Sequence, residues 1–287
     1  MLVKSVILTS LAGLAVSLAR PQTPRLTCGT EAPTNEFLEQ SSFFRAAEQG
    51  LTSQGQMSMG AINVTVYYHV ISRDKTRPGG YVPLGAVYDQ HKVLNQAFSG
   101  TGIYFSRRRI KYTINKDWAN GKDLEVMKKT LRQGRYRDLN VYITPAPTSD
   151  PFVVGVCTFP EYGPVGSPRF NQDGCSVHYS ALPGGNLTGY GLGMTAVHEV
   201  GHWFGLLHTF QGGCWDANDL VDDTPAQSEP TTGCPKVAPD SCVGDEWPGL
   251  DPINNFMDYS TDVCRNSFTV GQINRMKSFW NLWRKDM

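Results

Sequence analysis

"AVHEVGHWFGLLHTF", residues 196–210, holds three of the chain's six histidines within eleven residues, with Glu199 and Gly205 at fixed places among them. On a helix, His198 and His202 stand four residues and only about 40° apart around the axis, so both imidazoles can meet one metal ion. Glu199 lies one residue round. From there its carboxylate reaches a water in the ion's open position more readily than the ion itself. If the helix simply continued, His208 would sit about 9 Å further along it and on the wrong face. The spacing therefore requires the helix to stop. Gly205, three after His202, is where a left-handed residue can end it and fold the chain back, which makes His208 the third ligand. At this chain's residue frequencies a His-Glu-x-x-His arises by accident in roughly 0.4% of such sequences, and the added Gly and His lower that to the order of one in a hundred thousand. A structural zinc normally takes four protein ligands, often cysteines, whereas three histidines beside a glutamate leave a position for water. The stretch predicts a hydrolytic zinc centre.

Around this centre the chain has 287 residues, 40% of them hydrophobic, enough for one sizeable core or two modest lobes. Lys plus Arg and Asp plus Glu each total 26, and no overall field favours nucleic acid or an anionic membrane. The clusters Arg107-Arg108-Arg109 and Lys128-Lys129 read as solvated faces. Residues 1–19 read as a secretory signal: Lys4, an apolar run over 6–16, then Ser17-Leu18-Ala19 where a signal peptidase cuts. The run is too short for a hydrocarbon layer of roughly 30 Å, which takes about 20 residues. A secreted, extracellular protein without stable membrane association is expected, in a compartment where seven cysteines can oxidise. Asn63 and Asn186 open glycosylation sequons.

Residues 20–59 are rich in Pro, Thr, Gln and Glu, with an amphipathic stretch over 36–48, and read as an N-terminal extension in the position of a propeptide, peripheral to the core. The catalytic domain is expected over 60–287. It begins with "INVTVYYHVI", where Ile62, Val64, Val66, Tyr68 and Val70 alternate with Asn63, Thr65, Tyr67 and His69 as in a half-buried strand. A helix follows from Leu84, its apolar stripe including His91, which reads as a hydrogen-bonded core histidine. Further strands are expected over 103–114, 139–144 and 153–159. Residues 212–264 are loop-like, rich in Gly, Pro, Asp and Cys. A last helix opens on the capping box of Thr269 and Gln272 and sets Ile273, Met276, Trp280 and Trp283 on one face.

The run His198-Glu199-Val200-Gly201-His202-Trp203-Phe204-Gly205-Leu206-Leu207-His208 resembles the His-Glu-x-x-His-x-x-Gly-x-x-His signature of metzincin metalloproteases, and Asn255-Phe256-Met257-Asp258-Tyr259 resembles their Met-turn. Within that group, "HEVGHWFGLLHTFQGGC", the later "VDDTP" and the crowded cysteines are most similar to the pappalysin family, including ulilysin-like enzymes and secreted fungal metalloproteases. The resemblance implies an α+β catalytic domain: a twisted mixed five-stranded sheet with two long helices above a cleft, and a loop-rich, disulfide-bonded lower lobe ending in a helix. It implies that His198, His202 and His208 hold zinc, that Glu199 takes a proton from the zinc-bound water and passes it to the leaving amine, and that Met257 floors the ligands. It implies for Tyr259 a hydrogen bond to the tetrahedral intermediate, an ordinary packed tyrosine being the other reading.

By the same resemblance the strand over 175–181 is the sheet edge that pairs with an extended substrate, with His178 on its surface rather than a fourth ligand. It implies disulfides Cys214–Cys242 and Cys234–Cys264 in the lower lobe, leaving Cys157–Cys175 in the upper, although four cysteines alone allow three connectivities. Asp219, Asp222, Asp223 and Thr224 fit either a calcium site or a solvated acidic loop. Ulilysin-like enzymes favour a basic residue after the scissile bond, and Asp262, just past the Met-turn, stands where such a pocket is lined. Cys28 remains unpaired. Ulilysin-like precursors use such an upstream cysteine to block the open zinc position, which makes Cys28 a candidate latency switch, against a free thiol, an intermolecular disulfide or another partner within the fold. Residues 20–59 show no dibasic cleavage site. The function expected is a secreted zinc endopeptidase acting on protein and peptide substrates. A narrow-specificity processing protease and a non-catalytic zinc-binding protein are the alternatives, the latter disfavoured because it has no use for Glu199.

Overall fold

A computed structural model describes residues 26–49, 60–215, 218–244, 246 and 248–286; the expected signal segment, 1–19, and residues 20–25 and 50–59 of the extension lie outside the described residues. Among the described residues no helix is long and apolar enough to cross a membrane.

Six strands form one mixed sheet: β1 Thr27–Cys28, β2 Ile62–Ser72, β3 Ile103–Ile114, β4 Leu139–Thr144, β5 Val153–Cys157 and β6 Cys175–His178, in the order β1-β5-β6-β4-β2-β3. Five of these lie within residues 60–287, the number expected there. The sixth, β1, comes from the N-terminal extension and pairs parallel to β5. All other pairs are parallel except β5 with β6. β6 therefore lies between β4 and β5, not at the edge, which corrects the expected placement of the 175–181 segment. Without β1 the sheet's outer strands are β5 and β3, and β1 covers β5. His178 is accordingly half-buried on an interior strand, its Nδ1 accepting from Ser180 N at 3.2 Å.

The predicted alternation holds for the first half of β2 and fails for the second. Val64, Val66, Tyr68 and Val70 face the main core, but His69 and Ile71 are buried on the opposite side as well. There helix α3, Leu124–Leu131, covers the sheet and packs Met127 and Leu131 against Ile71 and Tyr142. His69 stacks on Tyr142 and bonds Asn140 Oδ1 through Nε2 at 3.0 Å, and burial pushes its pKa down to about 4. A strand between two covered faces needs no polar side. His91 sits half-buried on helix α2, Leu84–Ala97, hydrogen-bonded to Tyr68 Oη at 3.1 Å.

The main core lies between the sheet, α2 and α5, Met194–Trp203, the short helix Pro168–Gln172 being α4. The extension stands outside this core, yet it is not loosely attached. Its helix α1, Asn35–Glu48, buries Phe37 in a second cluster with Phe159, Leu207, Leu220 and Phe279. At the far end of α1, Glu48 bonds Arg275 Nε at 3.1 Å and Ser278 Oγ at 2.6 Å, all three buried.

The C-terminal helix α6, Val270–Phe279, opens on the predicted capping box of Thr269 and Gln272. Ile273, Met276 and Trp280 reach the main core, but Trp283 packs on the second cluster, because Trp280–Arg284 winds as a wider π turn and rotates the face. That turn also buries Arg284, whose guanidinium lies 3.6 Å over the Trp203 ring and bonds Asp173 Oδ1 at 3.0 Å, bracing the back of α5. Disulfides Cys214–Cys242 and Cys234–Cys264 tie the loop-rich lower lobe, and Cys157–Cys175 joins β5 to β6. Both sequon asparagines, Asn63 and Asn186, are exposed.

Candidate active site

Helix α5 ends where the sequence requires. Gly205 adopts φ +96°, its N–H donating to His202 O at 2.8 Å while Leu206 N–H reaches Gly201 O at 3.0 Å. This turn does two things. It brings His208 back to the helix, and it aims Leu206 O at His202 Nδ1, 2.7 Å away. The Met-turn does the same for His198, whose Nδ1 lies 2.7 Å from Phe256 O. An Nδ1–H donated to a carbonyl leaves Nε2 as the free lone pair. The Nε2 atom of His202 lies 3.1 Å from that of His198 and 3.1 Å from that of His208.

Lone pairs crowded this closely repel one another unless a cation lies among them, so the donor set fits a zinc ion bound by three imidazoles. Burial, followed by the neighbouring histidines, holds His198 and His208 well below the usual imidazole range, and burial holds His202 down to about 4. The site is thus built for neutral ligands. Met257, fully buried, lies under them. A Cβ on Gly201 would come within 2.4 Å of its sulfur, so the glycine inside α5 admits the Met-turn.

Glu199 faces β5. Gly155 on that strand, not foreseen from the sequence, makes room for it: a Cβ there would fall 2.3 Å from Glu199 Oε1. The signal was an isolated glycine inside the strand "VVGVC". Burial pushes the Glu199 pKa up to about 8. Thr30, also unforeseen, donates from Oγ1 to Glu199 Oε2 at 3.3 Å, and Cys28 Sγ lies 3.6 Å from the same oxygen. Tyr259 stacks edge-on to His208 at 5.0 Å and accepts from Cys28 N–H at 3.1 Å through its hydroxyl.

The extension thus reaches the centre of the site. One ligand atom each from Cys28, His198, His202 and His208 lie within 4.8 Å of one another, the one such group of three or more metal-binding side chains among the described residues. Two members of the expected acidic cluster have partners outside it. Asp222 pairs with Arg45 at 2.5 Å, and Asp223 accepts from Gly271 N–H at 2.8 Å, capping α6.

Two imidazoles on a Gly-terminated helix, a third returned to them beyond the glycine, a glutamate beside them and a methionine turn below define a metzincin-type metalloprotease. The chain belongs to the pappalysin peptidase family, Peptidase_M43, whose model, described as pregnancy-associated plasma protein-A, matches residues 120–281. It is 44% identical to an extracellular metalloprotease of Sordaria macrospora over 99% of this chain and 98% of that one. It is also 44% identical to an extracellular metalloprotease of Neurospora crassa, over 95% and 92% of the two chains. Promirolysin of Tannerella forsythia, as a mutant, matches the fold with a TM-score of 0.65 at 22% identity, over 90% of this chain and 94% of that one. Mature mirolysin in complex with a cleaved peptide matches with 0.61 at 24% identity, over 78% and 93%. The protein is a zinc metalloendopeptidase.

Proposed function

We propose that the chain is a secreted endopeptidase precursor, held latent by its own extension, which cleaves internal peptide bonds once that extension is withdrawn. The observation that carries this reading is the meeting of Cys28 with the three histidines and Glu199. The larger share of this chain matched by the pro form of mirolysin than by the mature form, 90% against 78%, supports assigning the extension to a prosegment. The relatives' naming as extracellular supports secretion, and the exposed Asn63 and Asn186 are open to glycosylation.

When bound, zinc polarises the scissile carbonyl and acidifies water. Glu199 takes the proton from the attacking water and delivers it to the leaving amine, two transfers that need one carboxyl buried beside the site. The Tyr259 hydroxyl, relieved of Cys28 N–H, donates to the carbonyl oxygen as charge develops on it. β5, relieved of β1, offers its edge to an extended peptide. Casein hydrolysis by the processed enzyme should be abolished by a zinc chelator and restored by added zinc. Chelator-resistant hydrolysis would end the zinc reading, and turnover of only a few members of a defined peptide panel would favour the narrow processing protease.

Acid should strip the site. Unfolded histidines titrate near 6.5, whereas the folded site resists protonation down to about 4 at His202. Between those values the unfolded, metal-free chain binds protons at these histidines that the folded chain does not, so the histidines' contribution to stability, and zinc with it, is lost as pH falls through that window and is unchanged above it. Zinc content and melting midpoint at pH 7.5, 5.5 and 4 measure this. Full zinc and activity at pH 4 would contradict it.

Calcium, which the family resemblance suggested, would sit at Asp219 and Asp223. Burial pushes the Asp219 carboxyl up to about 8, and Asp223 Oδ1 is buried with no hydrogen-bond partner. At a hundredfold excess over its dissociation constant calcium should add about 2.7 kcal/mol of stability and raise the melting midpoint by several degrees. Identical melting in calcium and in a calcium-selective chelator would leave the loop as an acidic turn held by Arg45 and Gly271.

A further inference from the structure

The pocket beside His198 does not present the free carboxylate that Asp262 promised. Asp262 is fully buried. Its Oδ1 accepts from Arg265 Nη2 at 2.5 Å, and its Oδ2 accepts from Leu192 N–H at 2.8 Å and from Met194 N–H at 3.4 Å. Both oxygens are occupied and the charge is matched, so a Lys or Arg entering the pocket finds no acid to pair with. It finds Arg265 instead, which lines the pocket with Val154, Tyr190, Thr195, His198 and Tyr259.

Arg265 is itself only partly satisfied. It is 4% exposed, its guanidinium lies 5.8 Å over the Tyr190 ring, and its Nε makes no hydrogen bond among the described residues. A buried guanidinium with an unused donor at the wall of a substrate pocket is a receptor for an acceptor oxygen. Tyr190, which bounds the same space, is fixed by its hydroxyl donating to Tyr259 O at 3.1 Å, so the wall is tied to the Met-turn segment. Leu26, Thr27 and Cys28 of the extension line the pocket too, so it opens fully to substrate when they withdraw.

We propose that Arg265 sets the specificity of this pocket, favouring a residue after the scissile bond that ends in an acceptor oxygen, Glu, Gln, Asp or Asn, and rejecting Lys and Arg. The inference rests on the reading of the site as the peptidase centre. It departs from the basic preference that the family resemblance suggested, and the departure comes from one side chain. A Lys or Arg in this desolvated pocket meets a carboxylate already neutralised by Arg265 and stays unpaired, and a site with a waiting donor discriminates against side chains that cannot use it.

The test is a cleavage profile of the processed enzyme on a proteome-derived peptide library, followed by kcat/KM on one peptide series varied only after the scissile bond. Glu and Gln peptides should exceed Lys and Arg peptides by about tenfold or more. In Arg265→Met the freed Asp262 should reverse that order, while Arg265→Lys, which keeps the charge, should still reject basic residues. Because Arg265→Met strands a buried carboxylate, Asp262→Asn with Arg265→Met serves as a second variant, in which discrimination between Glu and Lys should collapse to within a few-fold. A profile led by Lys, Arg or aliphatic residues overturns the proposal while leaving the peptidase reading intact. Absence of any cleavage takes down both.

Discussion

Replacing Glu199 with alanine is expected to leave zinc bound and to cut turnover by about 10²-fold or more, the usual cost of losing a general base. The separation follows from geometry. The three Nε2 atoms converge without help from Glu199, and their orientation is set by Phe256 O and Leu206 O, neither of which the substitution touches. Glu199 lies against Gly155 on β5, so truncating it leaves space and not strain. Zinc content after dialysis and kcat on one peptide should therefore part company in Glu199→Ala. In His208→Ala they should fall together, because a ligand is gone. Near-normal kcat in Glu199→Ala would remove the proposed base, and unchanged zinc in His208→Ala would place the third ligand elsewhere. Gly155→Ala gives an intermediate case: its methyl displaces Glu199 without removing it, and the expected result is bound zinc with depressed turnover.

What the sequence disclosed about this site was set by local geometry. The interval from His198 to His202, the left-handed glycine at 205 and the return to His208 are short-range matters of helix period and backbone freedom, and they are readable along one stretch. The capping box at Thr269 and Gln272 is of the same kind. Long-range pairing was not readable. Two residues, Thr27 and Cys28, carry no periodicity, so nothing local marks them as a strand; they become β1 only because β5 has a free edge. The interior position of β6 depends on strand order, and the burial of His69 depends on α3 covering a second face. Arg265 lies three residues from Asp262, close enough to suggest a pair, but outside a regular helix that spacing fixes no direction. Only the folded chain shows that the Asp262 carboxylate is taken by Arg265.

Serine in place of Cys28 should raise the activity of the unprocessed chain by about tenfold or more, without matching that of a chain trimmed to residues 60–287. The rise follows from the thiol's position among the three histidines, where a thiolate competes with water for the ion and a serine hydroxyl competes poorly. The shortfall follows from everything else that holds the extension down. The backbone bonds Thr27 N–H to Phe152 O at 3.0 Å and Gly29 N–H to Gly155 O at 2.8 Å persist, as does Cys28 N–H to Tyr259 Oη. Farther away, Phe37 between Phe159 and Phe279 and Glu48 on Arg275 anchor α1 to the C-terminal helix. Such an anchor keeps the inhibitory strand at high effective concentration over the cleft even when its principal contact is lost. Adding Phe37→Ala to Cys28→Ser should therefore raise activity further, although Phe37 lies in the cluster under α1 and not in the metal-binding group. The assay is peptide hydrolysis by purified unprocessed chains, compared with the trimmed enzyme. Equal activity of the unsubstituted chain and Cys28→Ser would leave the cysteine without an inhibitory role, and no additional gain from Phe37→Ala would confine latency to the strand at the zinc.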